Sequence, residues 1–396
     1  MLTEVSGKVS PEVSEAGKRL RLEIVTDASA FRDMKDEWNA LLSVSPRKSV
    51  FLSWEWLYTW WQHYGDHGVK KKLSIVILRA EDGTVHAIFP FYRIKKRVMG
   101  VWKLDLVCFI GTGYESSEYL DAIYRPELAD DAFERVFDAV ANSGADGFFL
   151  SDLLEDATLM IRLQKWSEAG NTEAFIRFWK RCPYLPLAQD YEQVVAGLSK
   201  NMRYNLRRRT RNIGKAGDVT FRTIQNRKEA VRAIHHLYDL HRKRWDVKEG
   251  TSKFDDSYRE KFHEKVVQEM LEGGYLRFYF LDIDGQPAAS LYCFYYAGHV
   301  YYYQAGLDPR WEKQSAGLVI MGKAIEASVA EGAREFDFLR GTEAYKFRWT
   351  DQTRDTWILE IPFSSSARLA FRAARSFRSL KKKIKEVSGK FGVGAA

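Results

Sequence analysis

The sequence predicts an α/β protein with a mixed (α+β) sheet, built from two similar halves packed together and followed by a basic C-terminal helix. The segment LSIVILRAEDGTVHAIFPFYRI from Leu73 aligns without gaps with YLRFYFLDIDGQPAASLYCFYY from Tyr275, an offset of 202 residues, with Asp-Gly at the same place in both. Each copy is preceded by a helix and followed by a further strand, a helix and a Gly-Ala turn into a Phe-rich strand. These turns run from Gly144-Ala145 to Leu150 and from Gly332-Ala333 to Leu339. One Asp-Gly hairpin is common, but a repeated order of elements argues for duplication. Interleaved strand and helix patterns complete the case for layered α/β architecture.

The elements follow in order. Residues 1–20 hold no apolar run long enough for a secretory signal or a membrane span, so a flexible leader and a cytoplasmic protein are expected. Arg21 to Thr26 alternates like a strand, and Phe31 to Leu42 is an amphipathic helix. Phe51 to Trp61 is a helix with Ser53 as its cap and four tryptophans, a density that favours core packing. Leu73 to Ile94 gives the two strands of the first hairpin, and Leu104 to Ile110 a third. The polar loop Gly111 to Asp121, with Tyr119 and Asp121, is either an acceptor-binding surface or an ordinary exposed loop. Helices over 131–141 and 157–166 and strands over 147–151 and 174–179 complete the first half. The expected divisions are 1–20, 21–186, 187–363 and 364–396.

In the second half, Asp190 to Ser199 reads as a helix continued by KNMRYNLRRRTRNI, whose arginines occupy more than one face. Ala230 to Trp245 is a long helix on which His241 and Trp245 share a face, placing a proton acceptor beside an aromatic wall. Strand Val300 to Gln304 turns at Gly306 and Asp308-Pro309 into a helix that starts at Gln314-Ser315-Ala316-Gly317. Such a start directs unpaired amides and a positive dipole end outward, so Ser315, Ala316, Gly317 and Leu318 suit a phosphate; Ser315 as a simple cap is the plainer alternative. Asp337 interrupts the apolar strand 336–339, so it is paired or functional. Arg340, Glu343, Tyr345 and Lys346 follow just past that strand's end, where open α/β sheets bind ligands.

The net charge of +8 is local: residues 367–390 hold nine Lys/Arg and one Glu, which equals the whole surplus. There Leu369, Ala373, Phe377, Leu380, Ile384 and Val387 recur at helical spacing. This stripe either packs on the body of the protein or a partner, or lies on an anionic membrane surface, peripheral at the inner face. Cys108, Cys182 and Cys293 are widely spaced, which suits buried reduced thiols. No metal-ligand spacing accompanies the histidines.

The ordered set Gln304-Ala305-Gly306, Asp308-Pro309, Ser315-Ala316-Gly317, Phe336-Asp337-Phe338, Gly341, Glu343 and Tyr345-Lys346 resembles the CelD-type acyltransferases of the GNAT superfamily, relatives of the Fem peptidyltransferases. Arg203 with Asn205, then His241, Arg244 and Trp245, resemble that family's earlier motifs. The likeness covers 198–350 well and the first half loosely. It implies two tandem GNAT-like halves, with acyl-CoA as co-substrate and no permanent cofactor. Gln304, Gln314 and Ser315 to Leu318 would then hold the donor, and Arg203, Asn205, Arg244, Trp245, Tyr119 and Asp121 the acceptor. Asp337, Glu343 or His241 would serve as base, with Tyr345 or Lys346 as proton donor. One departure is Val319, which stands where the pyrophosphate loop has a small residue and is expected to narrow the backbone approach.

The leading expectation is N- or O-acyl transfer, with acetyl as the expected group, to an amine or hydroxyl of a small or saccharide-linked acceptor in polysaccharide or envelope biosynthesis. Two rivals stay open: aminoacyl transfer from tRNA, with the 200–211 arginines on RNA phosphates, and a non-catalytic, membrane-associated scaffold.

Overall fold

The computed structural model describes residues 13–15, 18–115, 117–246 and 257–391. The chain opens with β1 (Val13–Glu15) and β2 (Lys18–Val25), then α1 (Ala28–Asp33), α2 (Lys35–Val44) and α3 (Trp54–Tyr64). Next come β3 (Lys71–Leu73), β4 (Ile75–Ala80), β5 (Val85–Phe89), β6 (Phe91–Val98), β7 (Trp102–Phe109) and β8 (Ile123–Tyr124). They are followed by α4 (Asp130–Ala141), β9 (Gly147–Leu154), α5 (Thr158–Ala169) and β10 (Phe175–Pro186). The remainder begins with α6 (Tyr191–Gly197), α7 (Lys200–Ile213), β11 (Val219–Thr223), α8 (Arg227–Asp246) and α9 (Ser257–Glu272). It ends with β12 (Leu276–Ile283), β13 (Gln286–Tyr296), β14 (His299–Leu307), α10 (Ala316–Ala330), β15 (Glu335–Asp337), β16 (Thr353–Pro362) and α11 (Ser365–Phe391).

Two compact units result, and neither is a continuous stretch. One comprises 1–47, 61–179 and 356–396; the other comprises 48–60 and 180–355. The start of the tryptophan-rich helix therefore groups with the second half, and the last strand and helix group with the first. Both differ from the expected linear division.

In the first unit β1-β2-β4-β5-β8 form one sheet, and strands run in the order β16-β9-β7-β6-β3. β1 pairs Val13–Glu15 with Lys18–Leu20, so a hairpin stands at 13–20 where the leader was expected. The expected second strand of the first hairpin breaks at Pro90, which has no N–H to give a ladder, and β5 and β6 go to different sheets. Most of the 111–121 loop is not exposed surface: Gly113 and Tyr114 face solvent, but Glu115, Ser117, Glu118, Tyr119 and Asp121 are buried. The Asp121 carboxylate accepts from the amides of Thr158 (2.7 Å) and Leu159 (2.9 Å), capping α5, and Tyr64 Oη donates to Glu115 Oε1 at 2.7 Å. Tyr119 and Asp121 are thus interior supports.

α11 corrects the expected stripe. Its packed face is Ala367, Ala370, Phe371 and Ala374, with Phe371 edge-on to Phe175 (6.1 Å between centroids), while Leu369, Phe377, Leu380 and Ile384 are exposed.

In the second unit the strands run β11-β12-β13-β14-β15-β10. Alternation sorts β12 cleanly: Tyr279, Leu281 and Ile283 join Val319, Ile320, Ala324 and Ile325 of α10 with Met202 and Leu206 of α7 in one core. Phe278 stacks on Tyr292, and beyond it Phe294 and Tyr303 meet Phe51 and Trp56. Here the tryptophan-rich stretch is core. α6 and α7 are separate helices, because Ser199 leaves helical geometry and caps α7 through the amide of Met202.

Candidate active site

The site forms where two parallel strands part. β14 pairs with β15 only from His299–Glu335 to Tyr301–Asp337. Past Asp337 the chain turns to β10 instead, with Phe338 N donating to Pro183 O (3.0 Å) and Gly341 N to Arg181 O (2.9 Å). β14 meanwhile continues to Leu307 along β13. A bulge opposite Tyr292 and Cys293 puts Tyr303 out of register and turns Tyr302, Ala305 and Leu307 to the α10 side. The wedge holds a cavity of about 370 Å³, bordered by those three residues, Ser315 to Leu318 and Met321 of α10, and Tyr345, Arg348 and Trp349.

The start of α10 faces this bay. Ser315 adopts the left-handed conformation (φ 61°, ψ 44°) and its side chain makes no capping bond, so it is no simple cap. Its carbonyl accepts from Leu318 N (2.9 Å) and Val319 N (3.2 Å), and the amides of Ala316 and Gly317 precede those first helical bonds. Val319 turns away into the core and lines a different depression with Tyr191, Leu206 and Gly322, so it does not narrow the approach.

A second, more polar bay of about 870 Å³ adjoins the first and shares Ser315, Leu318, Arg348 and Trp349 with it. Ser199, Met202, Asn205 and Arg209 project into it from one face of α7. Arg209 Nη1 donates to Lys313 O at 2.8 Å, which ties α7 to the loop before α10. Positive charge from Arg209 and Arg348 thus flanks the positive end of the helix dipole. At the other lip, burial pushes the Asp308 carboxyl up, but hydrogen bonds from the Arg310 side chain and amide outweigh it and hold the acid below its ordinary range.

The expected catalytic residues divide. Tyr345 reaches the bay, its hydroxyl donating to Tyr302 Oη at 3.3 Å. Burial pushes the Tyr302 phenol well above its usual value, and Tyr345 beside it adds to the shift, so Tyr302 stays protonated. Glu343 is exposed, 3.1 Å from Lys346 Nζ. Lys346 is buried and holds the carbonyls of Arg340 (2.7 Å) and Leu339 (3.3 Å), so it shapes the turn instead of facing the bay. Asp337 is fully buried; its Oδ1 accepts from Leu339 N at 2.7 Å, supporting the positive φ of 54° there. A desolvated acid bonded to its own turn is positioned as a support, not as a base. His241 lies on α8 and borders neither bay.

Among the other expected ligands, Gln304 sits beside the bulge, opposite Tyr292, and lines neither bay. The Gln314 side-chain carbonyl is buried without a hydrogen-bond partner. Arg203 is spent on the carbonyls of Ala196 and Leu198 at the end of α6, which makes it structural. Arg244 and Trp245 end α8, and their side chains lie outside the described residues. Sequence reasoning missed Tyr302, Arg209 and Arg348. The 3/4 spacing of Met202, Asn205 and Arg209 was a usable signal for the α7 face. His235 meets Glu260 (3.0 Å) and Glu264 (3.3 Å) of α9, a clasp between helices that α8 alone did not announce.

Residues 200–347 match the model of the family described as Acetyltransferase (GNAT) domain. This stretch holds α7, α10 and the parted strands β14 and β15, so the likeness to a GNAT domain falls on the part of the chain that builds most of the first bay. No curated protein matches the chain. Among solved structures the fold is similar to FemX, at 10% identity and TM-score 0.58, covering 86% of this chain and 98% of that one. It is also similar to L-PGS from Bacillus licheniformis, at 12% identity and TM-score 0.51, covering 86% and 96%. A third is the C-terminal domain (DUF2156) of a lysylphosphatidylglycerol synthetase, so titled as a putative one, from Agrobacterium fabrum, at 9% identity and TM-score 0.51, covering 89% and 96%. At such identities the likeness concerns the fold. Among the described residues no helix is long and apolar enough to cross a membrane.

Proposed function

We propose that the protein transfers an acyl group from acyl-CoA to an amine or hydroxyl acceptor, with acetyl-CoA the simplest donor. The carrying observation is the start of α10, whose first amides open onto the wedge between β14 and β15. A diphosphate seated on the Ala316 and Gly317 amides, between Arg209 and Arg348, leaves the pantetheine arm to run along the apolar bay toward Tyr302 and Tyr345. The acceptor's nitrogen or oxygen attacks the thioester carbon, the C–S bond breaks, and the sulfur takes a proton. Tyr345 is the donor of that proton or of a hydrogen bond to the oxyanion. Glu343, exposed beside the turn, takes the acceptor's proton through water. Asp337 and Lys346 act as positioning residues for that turn.

Asn205 and Arg209 of the polar bay would contact the donor's nucleotide end. A cell-envelope or polysaccharide acceptor fits the family resemblance. The exposed arginines of α7 favour one second reading, in which the same groove takes aminoacyl-tRNA. One experiment separates the two. Protein is incubated with acyl-CoA esters and cell extract, and free thiol and new acylated products are read by mass. The same is done with charged tRNA. Thiol release dependent on extract supports the proposal; transfer from tRNA alone overturns it.

A further inference from the structure

α11 has two apolar rows where a helix packed on a domain needs one. Ala367, Ala370, Phe371 and Ala374 are buried, and Arg378 reaches Glu360 at 3.3 Å on the same side. The other row, Leu369, Phe377, Leu380 and Ile384, is 60%, 52%, 57% and 60% exposed. At about 100° per residue these four fall within an arc of roughly 80°, turned by about 110° from the packed row. A continuous stripe of large apolar side chains in water marks an interaction surface.

The neighbouring charge says what covers it. Round the same wheel the exposed Lys381 and Arg372 stand about 80° and 100° to either side of the stripe's midline, and Arg368 and Arg375 are exposed farther round; the sequence adds Lys382, Lys383 and Lys385. Arg372 and Arg375 share one carboxylate, Glu173, at 2.9 and 3.4 Å, so positive charge stays in excess. A second copy of the chain would set like charges against each other. A surface carrying phosphates at the height of the cations and hydrocarbon beneath them matches both features.

We propose that α11 lies in the interface of a bilayer containing anionic phospholipid, with Leu369, Phe377, Leu380 and Ile384 inserted among the acyl chains and the flanking cations on lipid phosphates. From Leu369 to Ile384 the helix lays down about 22 Å of such contact. The seat is independent of the proposed chemistry, because it involves no residue of either bay.

The test is co-sedimentation of the full-length protein with vesicles of phosphatidylcholine alone and of phosphatidylcholine with phosphatidylglycerol. Binding is expected only to the anionic vesicles and to weaken as salt rises. Phe377→Asp with Leu380→Asp should reduce it about tenfold or more while the melting temperature holds, since both side chains are exposed. Should that variant melt early, Lys381→Glu with Lys383→Glu, which keeps the stripe, must lose the anionic preference. Absence of binding to phosphatidylglycerol vesicles overturns the proposal, as does binding that neither variant changes. A dimer in sedimentation velocity that the Asp variant dissociates, without vesicle binding, makes a second copy the occupant and overturns it equally.

Discussion

Gly317 is the second residue of α10 and the point at which the helix meets β14. A β-carbon there would lie 3.1 and 3.2 Å from the two δ-methyls of Leu307, a few tenths of an ångström too close. Leu307 borders the open bay, so it can yield to one carbon. Removing a glycine from a helix gains at most about 0.5–1 kcal/mol, which offsets the squeeze, and Gly317→Ala is expected to melt close to the parent. Gly317→Val adds two γ-carbons at the same place. Overpacking of this kind costs about 1–3 kcal/mol, and the added methyls, or the Leu307 they displace, enter the space beside the Ala316 and Gly317 amides. A donor phosphate then loses a hydrogen bond to an ionised partner, about 1.5–3 kcal/mol, or roughly ten- to hundredfold in Kd. Titration calorimetry with CoA on the parent and both variants, with melts on the same samples, reads both effects. Undiminished CoA affinity in a folded Gly317→Val protein refutes the phosphate assignment.

Tyr345→Phe should lower the rate of acyl transfer about a hundredfold with little change in KM, the lower end of a general acid's contribution; an unchanged kcat makes Tyr345 a lining residue only. Lys346→Met leaves the Leu339 and Arg340 carbonyls without their buried donor, so thermal stability should fall by about 1–3 kcal/mol together with turnover, and lost turnover at full stability would instead make Lys346 catalytic. Burial raises the Asp121 carboxyl above its ordinary 3.8 despite the amides it caps, so the folded state holds that proton more tightly than the unfolded chain. The contribution therefore favours folding below the ordinary value and is lost as pH rises through the raised one. Asp121→Asn should flatten that slope in urea midpoints taken from about pH 4 to 7, and identical slopes would show that Asp121 does not titrate there.

What could be read from the residues was local. The Asp-Gly turn and the small-residue start of α10 act within a few positions, and each stands where its pattern placed it. The misplacements are long-range. The 111–121 loop looks like surface because it is polar, yet its acids meet partners far along the chain: Glu115 meets Tyr64, and Asp121 the first turn of α5. Lys346 reads as a free cation until the carbonyls of a sharp turn are seen to require a donor. On α11 the sequence left open what the stripe of larger side chains touches, and close approach to the protein falls to the alanines around Phe371 instead. Spacing locates a stripe; it does not say which stripe touches protein.

The two units differ in the connection that follows the first strand of their parallel pair. In the first unit β7 and β9 are also parallel, joined through α4, and pair only from Leu106–Gly147 to Val107–Phe148. The wedge beyond is not left open, because the 111–121 loop runs along β9 and Leu120 N donates to Asp152 O at 3.1 Å. Leu120 itself is fully buried. In the second unit the chain from β14 to α10 is too short to fold back in this way: Asp308 to Ser315 turns directly into the helix, with Arg310 tied to Asp308 and Ser315 in the left-handed region. The parallel pair is thus followed by a long connection bonded to β9 in the first unit and by a short one leading straight into a helix in the second. The short connection brings the helix's first amides to the mouth of the opening, so the length of that loop sets the charge the cavity faces.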